Sequence, residues 1–412
     1  MAISRSNRRP KVLKVPPPRG GIGKNGMKFH ASRRSRGFTT DPPGFSTEKD
    51  PRGKGSGHWF DLPPPTGQSP FRLNLDSILS TNAINNIKRE KRLVFHASGD
   101  TGGVNTTTYQ QNVATFMELD FQDDDSGRNP SFYYHLGDVV YYDGEIINYY
   151  WEFYEPYLHY PAPIFAIPGN HDGDVDPSDA NNQPSDSLKG FVRNFCAQSA
   201  IVLQEADDAP RPAMTQPNVY WTLLTPMATF IGLYTNVPEG GKIGFQQLEW
   251  FTNELREAPD DFPIILSMHH PLYSAYGHHP GYTPLKDTVE QAIAAAGRTP
   301  NLILTGHVHN YQRFIGSLNG KNVTTIVAGA GGYNQKLHIL SRKQFDPNKC
   351  PYMFNGVDDT LEAFNDWQHG YLLMEVTDRQ ITGRYFAVDD PQPGMQPPQK
   401  QIDPYDTFTI PF

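Results

Sequence analysis

The 412 residues leave room for one large domain or two ordinary ones, and a hydrophobic content of 37% suits a globular core. Two cysteines, Cys196 and Cys350, exclude a disulfide framework, and no run of about 18 apolar residues occurs, so no membrane span is expected. The net charge of −8 is unevenly spread: residues 1–56 hold 14 Lys/Arg against 3 Asp/Glu, near +11, which leaves the remainder near −19.

The basic segment is rich in Pro, Gly and Ser (Pro16-Pro17-Pro18-Arg19-Gly20-Gly21, Arg33-Arg34-Ser35-Arg36-Gly37) and has few periodic apolar residues. It cannot bury a core, so residues 1–66 read as a disordered arm. A solubilising or targeting tail is the favoured reading of it, and a nucleic-acid tether the less favoured one. No apolar h-region follows Met1, so no secretory signal is expected, and reduced thiols in a cytoplasmic protein are. Residues 67–90 read as a lead-in, with weak helical character from Phe71 to Lys91.

From Arg92 a strand–helix alternation begins. The apolar runs predict strands at Leu93–Ala97, Phe132–Leu136, Ile164–Ile167, Val219–Leu223, Thr229–Tyr234, Ile264–Met268, Leu302–Thr305 and Thr324–Ala328. Helices are predicted at Glu145–Leu158, Phe245–Leu255 and Pro284–Ala296, the last bounded by Pro at its start and Gly297 just past its end. Residues 335–368 lack a period and read as a long loop. A hairpin of Tyr371–Val376 with Ile381–Val388 follows, and residues 391–412 read as a tail. The strand–helix domain is thus expected over residues 91–390.

Five short segments follow five of these strands: Gly99-Asp100-Thr101-Gly102, Gly137-Asp138-Val139-Val140-Tyr141, Gly169-Asn170-His171-Asp172, Met268-His269-His270-Pro271 and Gly306-His307-Val308-His309. The carboxyl ends of strands are where α/β sheets place their ligands. Singly, each segment reads as a turn or a structural histidine pair; together, in this order, they offer seven oxygen and nitrogen donors. That is enough for two adjacent cations sharing one carboxylate. A carboxylate bridges two cations where a neutral imidazole does not, so Asp138 is the candidate bridge. Asn170 supplies an amide oxygen, and His269, His307 and His309 supply imidazoles. On an extended segment, His307 and His309 would point to one side, which suits one histidine per metal.

These segments resemble the calcineurin-like metallophosphoesterase superfamily, and within it they are most similar to purple acid phosphatases. The resemblance covers about residues 91–390. Three features carry the finer likeness: Gly102 two residues after Asp100, Tyr141 three after Asp138, and Gly306-His307-Val308-His309-Asn310-Tyr311-Gln312-Arg313. It implies a four-layer α/β/β/α sandwich of two mixed β-sheets flanked by helices. It also implies two metal ions: Fe(III) held by Asp100, Tyr141 and His309, and a divalent zinc, manganese or iron held by Asn170, His269 and His307, with Asp138 between them. His171, His278 and His279 match the histidines that hold the phosphate and protonate the leaving group. His270 is expected to be structural, and Asp172 and Arg313 to brace loops. Tyr142, Tyr276, Tyr282 and Tyr311 lie near the motifs, where stacking on a substrate and plain packing are both open.

The implied function is hydrolysis of a small phosphate monoester by hydroxide held at the two metals. A phosphodiesterase of the same superfamily using Mn or Fe is the nearest alternative. A nucleic-acid-tethered protein and a non-catalytic metal scaffold are the others. Residues 1–90 are too short and too polar for the β-sandwich domain of the secreted plant enzymes, so an extracellular role is not expected.

Overall fold

The computed structural model describes residues 62–412 except 104–105, 123–126, 142, 175–186, 237–240, 242, 280, 334–336, 341–349, 354–358, 392–397 and 399. The basic arm up to residue 61 and Tyr142 lie outside the described residues. The chain runs through β1 (Arg72–Asn74), α1 (Thr81–Glu90), β2 (Arg92–Ser98), α2 (Thr108–Glu118), β3 (Tyr133–His135), β4 (Ile164–Ala166), α3 (Asn170–Gly173), α4 (Lys189–Phe195), β5 (Trp221–Leu224) and β6 (Thr229–Gly232). Then come α5 (Phe245–Glu257), β7 (Ile264–Ser267), α6 (Thr283–Ala296), β8 (Leu302–Thr305), β9 (Tyr311–Leu318), β10 (Lys321–Ala328), β11 (Tyr352–Met353), β12 (Thr360–Asn365), β13 (His369–Thr377), β14 (Gln380–Val388) and β15 (Asp406–Pro411).

The strands form two mixed sheets, in the orders β1-β5-β6-β7-β8-β10-β9-β12-β11 and β15-β14-β13-β2-β3-β4. In the smaller sheet β2, β3 and β4 are parallel while β13 runs antiparallel to β2. In the larger, β6, β7, β8 and β10 are parallel and β9 returns antiparallel to β10. Strand alternation explains the layering. Leu93, Phe95 and Ala97 of β2 share one buried cluster with Phe230 of β6, Ile265 of β7, Leu304 of β8 and Ile326 of β10. That cluster lies between the sheets. The opposite faces, with Tyr133 and Ile164 on one sheet and Ile231, Leu266 and Ile303 on the other, join the cluster holding Val113 and Met117 of α2, Phe251 and Leu255 of α5 and Val289 and Ile293 of α6. Two sheets flanked by helices, the expected sandwich, follow from this division. Gly297 closes α6 in the left-handed conformation (φ 73°), as its boundary signals predict.

The helices α2, α3 and α4 go unpredicted, and the structure departs from the sequence reading in five further places. The segment Glu145–Leu158 is not an α-helix: Ile146–Asn148 is a 3₁₀ turn and Tyr150–Tyr154 a π-helix. The Glu155 N–H reaches back five residues to the Tyr150 carbonyl (2.7 Å), and the Gln110 amide takes the Glu152 carbonyl (2.7 Å). The wide turn carries the buried rings of Tyr149, Phe153, Tyr154 and Tyr157. Residues 71–91 hold α1 but also β1, which pairs in parallel with β5. The C-terminal tail supplies β15, paired with β14. Residues 335–368 include β11 and β12, which extend the large sheet beyond β9. β9 itself goes unpredicted, since Arg313 and Gln312 break its apolar run; both are held by partners far along the chain. Cys196 and Cys350 are free thiols.

Candidate metal centre

All five donor segments leave the carboxyl ends of strands: β2, β3 and β4 of the smaller sheet, β7 and β8 of the larger. Three donors sit in the left-handed backbone region that side chains rarely adopt: Asp100 (φ 57°), Asp138 (φ 53°) and His307 (φ 68°). Such residues cost about 1–3 kcal/mol each and persist only where their surroundings hold them. Here the Asp100 N–H donates to the Gly137 carbonyl (2.9 Å), and the Thr101 N–H to the Asp138 carbonyl (3.3 Å). The His307 N–H donates to both carboxylate oxygens of Asp100, at 3.1 and 2.9 Å. Gly169 lies so close to Asp138 that any Cβ there would overlap the carboxylate.

The donors fall into two groups. In one, the Tyr141 hydroxyl lies 3.2 Å from Asp138 Oδ2, 3.5 Å from Asp100 Oδ1 and 3.4 Å from His309 Nε2. His309 Nε2 is in turn 3.4 Å from Asp100 Oδ1. In the other, His269 Nε2 lies 3.2 Å from Asp138 Oδ2 and 3.1 Å from Asn170 Oδ1, and His307 Nδ1 lies 2.9 Å from the same amide oxygen. Asp138 belongs to both: Asp100, Asp138 and His309 can hold one ion, and Asp138, His269 and His307 another. The two histidines of His307-Val308-His309 do reach different groups, but not from an extended segment. His307 turns through its positive φ and presents Nδ1, whereas His309 presents Nε2.

The charges fit cations. Asp100 and Asp138 are fully buried, and their ion pairs among the described residues are with histidines alone. Burial raises Asp100 above the ordinary carboxylate range. At Asp138 burial pushes up as well, but His269 and His171 outweigh it and hold the group well down. Burial works against charge on His269, yet the two carboxylates raise its ring to about 10. Two carboxylates in a dry pocket thus demand positive charge beside them. Burial, then Asp138 and Asp100, hold the Tyr141 phenol well above 10, so a phenolate forms here only against a strong cation. Burial and the neighbouring histidine rings keep His307 neutral, the form that ligates. Carboxylate, phenol, amide and imidazole donors, with no Lys or Arg paired to the carboxylates among the described residues, suit two metal ions.

Around these seven, the structure sorts the remaining candidates. His171 is half-buried, with its ring 4.5 Å from that of Tyr141 and its backbone N–H donating to Asp138 Oδ1 (2.9 Å). The adjacent pair in the loop divides: His278 is exposed beside Tyr276, whereas His279 is buried, with Nδ1 3.2 Å from His307 Nε2. The loop folds back over His307, which encloses His279 and leaves its neighbour facing outward. His270 is buried, with Nδ1 2.7 Å from the Thr235 hydroxyl. Asp172 accepts the N–H groups of Gly169, Val139 and Val140 and so braces the loops after β3 and β4, whereas Arg313 on β9 pairs with Asp406 on β15 (2.8 Å) and ties strands of the two sheets rather than loops. Tyr311 is packing: it is fully buried and stacked on Tyr385 at 3.9 Å.

Four neighbours were not singled out as supports of the centre from sequence. Buried Glu152 accepts the Tyr141 N–H (2.8 Å) from within the π-helix. The Tyr282 hydroxyl lies 3.0 Å from His307 Nε2. The Tyr333 ring lies 4.3 Å from that of Tyr141, tilted by 38°, and His338 stacks on His309 at 4.3 Å. Two carried a signal: Tyr282 lies near the motifs, and Tyr333 comes directly after Gly329-Ala330-Gly331-Gly332.

Comparison with known proteins gives the family and the fold. The model of the calcineurin-like phosphoesterase family matches residues 94–311. No curated protein matches the sequence significantly. Among solved structures, a purple acid phosphatase from yellow lupin (Lupinus luteus) seeds has a similar fold, with a TM-score of 0.53 and 16% identity over 78% of this chain and 54% of that one. The chain thus spans about half the length of the lupin protein. GAP50, described as the anchor in the inner membrane complex of Plasmodium, is similar at a TM-score of 0.52 and 15% identity, over 78% of this chain and 89% of that one. No helix among the described residues is long and apolar enough to cross a membrane.

Proposed function

The chain belongs to the calcineurin-like phosphoesterase family, and on that premise we propose that it hydrolyses small phosphate monoesters at a binuclear metal centre. The observation that carries this reading is the membership of Asp138 in both donor groups. One proposed ion is Fe(III), with Asp100, Asp138, Tyr141 and His309 as its ligands. The other is divalent zinc, manganese or iron, with Asp138, Asn170, His269 and His307. Carboxylate and phenolate oxygens are hard donors that suit a trivalent ion. Two such cations supply Lewis-acid polarisation of the phosphoryl group and a nucleophile from water at neutral pH.

The chain's own residues do the rest. His171, beside Tyr141 and Asp138, is the proposed hydrogen-bond donor to a phosphate oxygen. His279 and the exposed His278 are the proposed donors of a proton to the leaving alkoxide. Asp172 and Glu152 hold the backbone of Val139, Val140 and Tyr141, and so keep the bridging turn in place.

The test is elemental analysis of protein purified without added metal, together with its visible spectrum and its turnover of alkyl monoesters and diesters. The reading expects two metal equivalents, one of them iron, a phenolate-to-iron absorption band and faster monoester cleavage. Diester turnover above monoester turnover, with no such band, would move the assignment to the phosphodiesterases of the family.

A further inference from the structure

We infer that His338 sets the ring plane of His309 and is a positioning residue for the Asp100–Tyr141–His309 half of the centre, an inference that rests on the two-cation reading above. The two histidines are locked together from main chain to ring. The His309 N–H donates to His338 Nδ1 (3.1 Å), and the His338 N–H donates to the His309 carbonyl (2.9 Å). The Asn310 side-chain amide donates to the His338 carbonyl (2.6 Å). The rings then stack almost parallel, 4.3 Å apart with 4° between their planes. The Tyr276 ring covers the other face of His338 at 4.4 Å and 7°. His338 is only 2% exposed.

This stack replaces something the site otherwise lacks. A ligating imidazole is usually oriented by a hydrogen bond from its second nitrogen. His309 presents Nε2 to Asp100 and Tyr141, and its Nδ1 is buried with no hydrogen-bond partner among the described residues. Rotation of the ring about its last bond is therefore limited by packing, and His338 supplies the flat face it packs on. His338 cannot drift, because its Nδ1 accepts a backbone N–H and must stay unprotonated. Tyr276, His338 and His309 thus form a three-ring stack that leads from the half-exposed Tyr276 to the donor cluster.

A chelator challenge of the full-length, metal-loaded protein tests this, with metal content read by elemental analysis as EDTA is raised. His338→Asn keeps an acceptor near Nδ1 and removes the ring. It should release one of the two equivalents at ~10-fold lower EDTA, the scale typical of orienting partners of ligands, and leave the other as in the unmodified protein. His338→Phe restores a flat ring and should hold both equivalents at or near the original EDTA concentration. Equal retention in the unmodified protein and His338→Asn overturns the inference, as does release from His338→Phe as easy as from His338→Asn. If His338→Asn does not fold, Tyr276→Leu removes only the outer ring of the stack and should loosen one equivalent; unchanged release then overturns the inference. Unmodified protein that never holds two equivalents overturns the two-cation reading itself, before any variant is compared.

Discussion

The backbone N–H of His307 donates to both carboxylate oxygens of Asp100 across 207 residues of chain, tying the last donor segment to the first. Asp100 follows β2 of the smaller sheet and His307 follows β8 of the larger. The candidate centre therefore exists only when both sheets are in place, and its ligands report on the packing of the whole sandwich.

Asp138→Asn should be the most damaging change among the donors. The amide keeps the shape but loses the charge that both groups share. Both equivalents of metal should fall together, with near-total loss of turnover, when content is measured by elemental analysis. Full occupancy of one ion in this variant would show that Asp138 does not bridge.

Tyr141→Phe should bleach the protein while leaving its circular-dichroism spectrum unchanged. The phenol is buried between Asp100, Asp138 and His309, and its backbone stays anchored to Glu152. The measurement is visible absorption of oxidised, iron-containing protein. A colourless parent protein with stoichiometric oxidised iron would sink the tyrosinate assignment.

Gly169→Ala should cost metal without touching a donor. Its Cβ would overlap the Asp138 carboxylate, with the backbone N–H of Asp138 close behind, so the bridging carboxylate must move. Reduced metal content with an otherwise folded protein is the expected result. A variant with two equivalents would mean the loop relaxes freely.

His171→Ala should lower kcat by about 10²–10⁴-fold, the usual contribution of a positioned proton donor, with metal content near two. The loss should be larger for alkyl phosphates than for nitrophenyl phosphate, whose leaving group needs little protonation. His279→Ala should differ in kind, because His279 lies against His307 and its removal should also loosen metal. His278→Ala, at an exposed position, should show the kinetic effect alone. Identical kinetics of the parent and the His278/His279 double variant on alkyl phosphates would remove the pair from the mechanism.

Stability should also depend on pH through Glu118, the last residue of α2. Burial raises its carboxyl from 4.5 to about 7. Below 4.5 the folded and unfolded chains both carry the protonated acid; above it the unfolded chain ionises while the folded one resists until about 7. The favourable difference is thus present at low pH and lost as pH rises through this window. Glu118→Gln removes the titration, so its Tm relative to the parent should climb between pH 4.5 and 7 and level off above. A gap that stays constant across that range would show that the carboxyl titrates normally.

The donors were legible from sequence because their signals are local. Each sits within four residues of an apolar run, and Asp100, Asp138, Asn170 and His307 directly follow a glycine that lets the chain turn, while His269 stands before His270-Pro271, so all five announce themselves without their partners. The sheet core was equally plain, since alternation along β2 or a solid apolar run along β7 needs no other strand to be recognised. What the chain alone did not decide was which groups meet. The burial of His279 against His307, the stacking of His338 on His309 and the grip of Glu152 on the Tyr141 N–H join residues 28, 29 and 11 positions apart. The π-helix over Tyr150–Tyr154 depends likewise on Gln110 from α2, and β1 and β15 are strands only because β5 and β14 offer them an edge. Donor type is a property of a residue and its immediate turn; donor geometry is a property of two sheets brought into register, and only the packed structure supplies it.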